Sequence, residues 1–382
     1  MNSKLIINLI FLCFSLTGPL YSQGFSSFIT KVNTANVSVR NDVALQYIAS
    51  QSSIPVVESD SLVFFLYWGK AISVAVSGDA SGWAPSLKMS HIEGSDLWYY
   101  AAKYDRTARL EYKIVVNERN WRLDSLNKNT IMGGMGPNSV LELPLYSPPK
   151  FVEVRQRSPA GRVFDTTFQS ETMKEPRQLK IYLPFGYSTA TGHYPIIFFF
   201  DGNDFFKFTQ ATILLDNMIA DKRIPPVIAV FEQPVHRDAE YSGMLQGKFT
   251  DYIVSELVPF IDNRFRTILS ADKRVLAGIS NGGNIALWIG GTHPEVFGKV
   301  IAMSSNVENN VARAYEKGDP AMLKLYMNFG KYDMAQLIPR VNKLKSILEQ
   351  KKYTFMYREY PEGHNWGFWQ KYLPEAMEYL FL

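Results

Sequence analysis

The stretch Val275-Leu276-Ala277-Gly278-Ile279-Ser280-Asn281-Gly282-Gly283-Asn284 sets a Gly-x-Ser-x-Gly motif between a short apolar run and a segment of helical character. A serine on a tight strand-to-helix turn projects its Oγ above a sheet, and glycines two positions to either side remove the side chains that would collide there. The next residue, Asn281, then offers its backbone N–H to a developing oxyanion. Chemistry of this kind is acyl transfer. Serine at its ordinary pKa is a poor nucleophile, so the site also needs a histidine within hydrogen-bond reach and a third group that fixes the imidazole tautomer.

The chain has five histidines. His91 falls among β-type runs, His193 in a polar approach to a strand, and His293 before Pro294, where it packs or caps. His236 follows a strand and is within range of the site. His364 is best placed, in Pro361-Glu362-Gly363-His364-Asn365-Trp366 directly beyond the last expected strand. Chain order Ser, Asp, His points to a carboxylate after the strand Leu325 to Phe329, and Gly330-Lys331-Tyr332-Asp333 supplies it. Asp333 has a second reading, as the N-cap of the helix that follows. A second oxyanion donor belongs in the loop after an early strand, where Phe200-Asp201-Gly202-Asn203 offers the N–H of Gly202 or Asn203. Asp201 itself shapes that turn or holds loops around the site.

These residues need a scaffold that brings them together. Runs at Lys180 to Pro184, Ile196 to Phe200, Val227 to Phe231, Arg274 to Ala277, Lys299 to Met303, Leu325 to Phe329 and Thr354 to Tyr360 predict strands. Helices are expected between them at Ile213 to Ala220, Phe249 to Arg264, Asn284 to Gly290 and Ala335 to Gln350. Strand alternating with helix predicts an α/β fold, a mostly parallel sheet covered on both faces, with the site at the carboxyl ends of the strands. That domain occupies 151–382, beyond the breaker pair Pro148-Pro149. Residues 61–147 instead carry short β-type runs between turn residues, which predicts an all-β sandwich. Residues 23–60 are polar and read as a lead-in segment, with one short helix at Asn41 to Gln51.

Two resemblances follow. Val76-Ser77-Gly78-Asp79-Ala80-Ser81-Gly82-Trp83, Leu97-Trp98-Tyr99, Glu111-Tyr112-Lys113-Ile114-Val115-Val116, Trp121-Arg122-Leu123-Asp124 and Gly133-Gly134-Met135-Gly136-Pro137-Asn138 resemble the immunoglobulin-like early-set sandwich of isoamylase-type glycan-binding modules and of enterochelin-esterase-like proteins. Trp83, Lys113, Trp121 and Asn138 match the sugar-holding positions of the glycogen-binding members. The resemblance therefore implies either a glycan platform of exposed indoles or tryptophans packed against the neighbouring domain, of which we favour packing. Residues 174–382 resemble the Putative esterase family, which includes enterochelin esterase and the feruloyl esterases. The shared words are Ile181-Tyr182-Leu183-Pro184, Phe200-Asp201-Gly202, Glu256-Leu257-Val258-Pro259, Gly278-Ile279-Ser280-Asn281-Gly282-Gly283, His293-Pro294 and Gly363-His364. The enterochelin-esterase-like subgroup matches best, since it too has an early-set domain in front. It implies an α/β-hydrolase fold, a triad of Ser280, Asp333 and His364, and a substrate wall that includes Arg237 and Glu240, for which an ordinary surface ion pair is the alternative. Trp366, beside His364, is expected at the substrate as well.

Composition narrows the partners. Of 382 residues 46% are hydrophobic, and the net charge of +4 is spread with no basic block, which excludes nucleic acid as a partner. Lys4, the apolar Leu5 to Leu16 and the small-residue exit Thr17 to Ser22 predict a secretory signal over 1–22, hence a periplasmic or secreted protein with no stable membrane span. Cys13 is the one cysteine and lies in that signal, so the mature chain has no disulfide, thiolate or cysteine-bound metal. The expected chemistry requires no metal and no cofactor. Its substrate is an ester, either a small molecule or one linked to a polysaccharide.

Overall fold

The computed structural model describes residues 24–156 and 159–382. The expected signal at 1–22 lies outside them. No helix among the described residues is long and apolar enough to cross a membrane, and no cluster of metal-ligating side chains occurs among them.

The C-terminal part is a mixed sheet, in the order Arg162–Ser170, Glu175–Leu183, Ile228–Glu232, Ile196–Phe200, Arg274–Ile279, Lys299–Met303, Lys324–Tyr332 and Thr354–Gly363. The first two pairings are antiparallel, and from Ile228–Glu232 onward the strands run parallel. The central strands read as unbroken apolar runs because both faces are covered. Phe198 and Phe200 face one layer, with Phe249, Leu257, Ile285 and Leu344, while Ile197 and Phe199 face the other, with Leu214, Met218, Leu373 and Met377. The sheet thus has the α/β-hydrolase-like plan, with every expected strand present. Arg162–Ser170, an edge strand with mostly exposed side chains, was not anticipated.

Residues 56–142 form an all-β unit of two antiparallel sheets. One contains Val56–Glu58, Leu62–Trp68, Leu97–Lys103 and Ser90–His91; the other is built on Val74–Gly78, Arg109–Val116 and Gly136–Glu142. Val63, Phe65 and Tyr67 point between the sheets to meet Val76, Leu110, Tyr112 and Ile114. The intervening Phe64 and Leu66 are buried too, against the outer side, where 23–60 adds to the helix expected at Asn41 to Gln51 a second one that was not anticipated. That segment folds as two helices, Phe25–Thr34 and Arg40–Ser50, which cover the first sheet. Phe25, Phe28 and Val32 share one helical face, and Phe28 stacks on Tyr47 at 4.1 Å.

The two parts meet where Glu362, at the end of the last strand of the mixed sheet, pairs with Arg109 of the sandwich. That junction lies beside the carboxyl ends of the parallel strands.

Candidate active site

Ser280 sits between the strand Arg274–Ile279 and the helix Asn281–Thr292, with φ 55° and ψ −121°. A non-glycine residue rarely adopts this backbone, and its cost is tolerated where surrounding structure fixes it. Here the Ser280 N–H donates to Met303 O at 3.0 Å, and the Ser280 carbonyl accepts from Asn284 N and Asn306 N. A Cβ on Gly278 would overlap the Gly282 carbonyl, so the turn closes this tightly only with glycine there. The N–H of Asn281, first in its helix, has no intrahelical acceptor. The Asn281 side chain donates to Asp238 and accepts from Asn306.

His364 follows the last strand, and its Nδ1 is 2.6 Å from Asp333 Oδ1. Its ring stands edge-on to Trp369, centroids 5.0 Å apart. Asp333 is buried, and its Oδ1 also accepts from Met334 N at 2.6 Å. The turn that follows, Ala335–Leu337, takes Met334 as its N-cap, so Asp333 is not the helix cap of the alternative reading. One carboxylate oxygen thus holds both the start of that loop and the imidazole, leaving Nε2 of His364 for the cavity.

Ser280 and His364 line a cavity of about 590 Å³. Asp201, Asp204, Arg237 and Trp366 come to it from the mixed-sheet part, and Trp83, Lys113, Trp121 and Asn138 from the sandwich. The four sandwich residues form neither a separate platform nor a dry packing surface. Trp121 is 44% exposed, Trp83 and Lys113 are half-buried, and only Asn138 is buried, donating to Glu111 Oε2 at 2.8 Å. Trp366 makes aromatic contact with Phe205, Phe208 and Trp369 behind the cavity wall.

Arg237 makes a bidentate pair with Asp201, both contacts 2.7 Å. Burial pushes the Asp201 carboxyl up, against the opposing pull of Arg237. The pair holds the turn at Asp201, which lies in the left-handed region at φ 58°. Two expectations are corrected. Glu240 is fully buried away from the cavity, where its two oxygens take 2.9 and 2.8 Å bonds from Arg177, so it neither lines a substrate wall nor forms a surface pair. Arg177 also binds Glu232 at 2.6 Å, and a guanidinium deep under the sheet needs such partners to offset its lost hydration. The Asn203 N–H is taken by Gln233 Oε1 at 3.0 Å. Of the two candidate donors after the early strand, this leaves Gly202, the first residue of its helix.

Sequence reasoning did not single out Glu111, Asp204, Met334 or Trp369, all at the cavity. Trp369 carried a usable signal, since it lies one turn into the helix Trp366–Phe381 that starts directly after His364. Glu111 carried none, because its place depends on how the two parts dock.

The profile of the Putative esterase family matches residues 170–380. Among curated relatives, the uncharacterized protein YjcH of Bacillus subtilis is 25% identical over 233 residues, 57% of this chain and 97% of that protein. An endo-1,4-beta-xylanase/feruloyl esterase of Xylanibacter ruminicola is 32% identical over 152 residues, 36% of this chain and 21% of that enzyme. An iron(III) enterobactin esterase of Escherichia coli K12 is 25% identical over 251 residues, 57% of this chain and 60% of that one. Among solved structures, the enterobactin esterase of Shigella flexneri in the presence of enterobactin has a TM-score of 0.70 at 20% identity, covering 88% of this chain and 97% of its own. A ferulic acid esterase has a TM-score of 0.53 at 18% identity, covering 58% and 98%. The structural likenesses speak to the fold, whereas the profile spans more than half of the sequence, and on that match this chain belongs to the Putative esterase family.

Proposed function

We propose that this protein is an exported serine esterase that cleaves carboxylic esters through an acyl-enzyme on Ser280. The observation that carries the reading is the 2.6 Å bond from Asp333 to His364 Nδ1, with His364 sharing one cavity with a serine whose backbone has the geometry of a nucleophile elbow. In this mechanism Nε2 of His364 takes the Ser280 hydroxyl proton as Oγ bonds to the ester carbon. The oxyanion lies against the N–H groups of Asn281 and Gly202. Collapse expels the alcohol, which takes the proton from His364, and water activated by the same imidazole then releases the acid. No metal or cofactor enters any step.

The substrate would be an ester whose body carries a flat ring. Trp83, Trp121 and Trp366 supply rigid apolar faces, and the half-buried Lys113 adds a cation at the sandwich side. A feruloyl ester on plant polysaccharide fits this wall through its aromatic ring, and an acetyl ester only through the face of the sugar that bears it. A siderophore trilactone of the ferric enterobactin type is the second reading, favoured by the cationic Lys113 and by the two-part likeness to a solved enterobactin esterase. The same reading takes 1–22 as an export signal, 23–60 as a lead-in that covers the sandwich, 61–147 as an immunoglobulin-like early-set domain and 151–382 as the catalytic domain.

A hydrolysis panel of methyl ferulate, acetylated xylan, p-nitrophenyl acetate and ferric enterobactin decides the class. Ser280→Ala should remove nearly all turnover with the fold intact, and a fluorophosphonate should label the wild type at Ser280. Labelling elsewhere, or full activity in the variant, would sink the mechanism. No hydrolysis of any panel member would favour a secreted glycan-binding protein with an inert hydrolase domain.

A further inference from the structure

Both neighbours of His364 in the chain rest on one carboxylate of the sandwich. Asp79 opens the turn Asp79–Ser81 and is 2% exposed. Its Oδ2 accepts from Asn365 Nδ2 at 2.7 Å and from Glu111 N at 2.7 Å, and its Oδ1 accepts from Trp83 Nε1 at 3.2 Å. Asn365 is buried with its polar atoms engaged. Its Oδ1 caps the last helix through Phe368 N at 2.9 Å and accepts from Arg109 Nη1 at 3.1 Å. On the other side, a Cβ on Gly363 would overlap the Asp79 carboxyl group.

We propose that Asp79 is a positioning residue for His364, latching the Gly363–Asn365 segment to the sandwich and so setting how Nε2 meets Ser280 Oγ. This rests on the reading of Ser280 and His364 given above. The Asp333 bond orients the imidazole ring, while Asp79 holds the segment that carries it through the side chain of Asn365. A displacement of about 1 Å at a catalytic group can cost on the order of 100-fold in rate. Three N–H donors converge on Asp79, the pattern that suits an ionised carboxylate. Burial first, then the nearby Glu111 carboxylate, nevertheless push it up to about 8. The charged groups that act on it are Glu111 and Arg109 of the sandwich, and Arg109 in turn faces Glu362 at the end of the neighbouring strand. A carboxylate serving only to fasten two domains could give way to apolar packing without loss.

The test uses the full chain and p-nitrophenyl acetate. Asp79→Ala should lower kcat by about 10-fold to 100-fold, a larger change than in KM, to which the freed Trp83 indole contributes. Asp79→Asn should restore most of that kcat, since its carbonyl can still accept from Asn365 and Glu111. Asn365→Asp keeps the helix cap and the shape but sets a second carboxylate against Asp79. Its kcat relative to wild type should be lowest above about pH 8 and recover toward pH 6, where the two carboxylates share a proton. Should Asp79→Ala not fold, this last variant decides. Unchanged kcat in Asp79→Ala, or an Asn365→Asp ratio that stays near one across pH, overturns the inference. Absence of fluorophosphonate labelling at wild-type Ser280 would instead defeat the reading on which it rests.

Discussion

At the scale of single residues, the division of labour within the site follows from what each atom has left to bond with. Asp333 Oδ1 already takes the Met334 N–H and still reaches His364 Nδ1, so that nitrogen must carry the proton and Nε2 must be the base. An amide at the same place would present the wrong partner. Asp333→Asn is therefore expected to lower kcat by on the order of 10⁴-fold, by analogy with other triads, with a much smaller change in KM. A variant that lost only about 1 kcal/mol of stability, with normal turnover, would reduce Asp333 to a loop anchor. Pre-steady-state acyl-enzyme formation on a p-nitrophenyl ester separates the two outcomes.

At the scale of elements, legibility depended on how local the cause was. The strand Arg274–Ile279 and its turn were readable because Gly278, Ser280 and Gly282 each answer a constraint set within a few residues. Asp333 and His364 followed from strand order alone. Glu240 was misread because its burial depends on Arg177, about sixty positions away in sequence, and no local pattern announces that pairing. The helix Phe25–Thr34 was missed for a related reason. Its apolar face is only Phe25, Phe28 and Val32 among serines and threonines, and becomes meaningful once the outer side of Leu62–Trp68 needs cover. The strand carrying Lys113 was legible as a strand, whereas the short Asn120–Arg122, which carries Trp121, was not, and neither was their orientation over Ser280. That orientation gives Trp121→Ala a specific consequence. With 44% of the residue exposed, little stability is at stake, whereas a ring-bearing ester such as methyl ferulate loses a stacking face worth about 1 kcal/mol. KM for methyl ferulate should rise several-fold while that for the ring-free ethyl acetate is unaffected. Equal effects on both substrates, or a large fall in melting temperature, would show that Trp121 packs rather than binds.

At the scale of the whole molecule, buried carboxylates set how stability varies with pH. Burial is the leading cause that pushes Asp79 up to about 8, Glu232 and Glu362 to about 7 and Asp124 to about 6, from ordinary values of 3.8 for the aspartates and 4.5 for the glutamates. For Glu232 the shift also reflects counting, since Arg177 alone faces both Glu232 and Glu240 and one acid can keep its proton. An acid whose pKa is raised by folding binds its proton more tightly in the native state. Its stabilisation is complete below the unfolded value and is lost as pH rises through the folded value. The opposite class is present too: hydrogen bonds from Thr107 hold Asp105 low, and the bond from Arg155 holds Asp221 low. Those groups withdraw their support only on acidification below about pH 4. Stability should therefore peak at about pH 4 and decline from there to about pH 8, the range in which the unfolded chain has ionised these acids and the folded protein has not. Urea midpoints at pH 5.5, 7 and 8.5 check this trend. Asp79→Asn, which cannot ionise, should flatten the fall all the way up to about pH 8, while Glu232→Gln should flatten only the part below about pH 7. A midpoint that rises from pH 5.5 to 8.5 in the wild type would mean that these acids are already ionised in the folded protein and that their partners, not protons, offset the cost of burial.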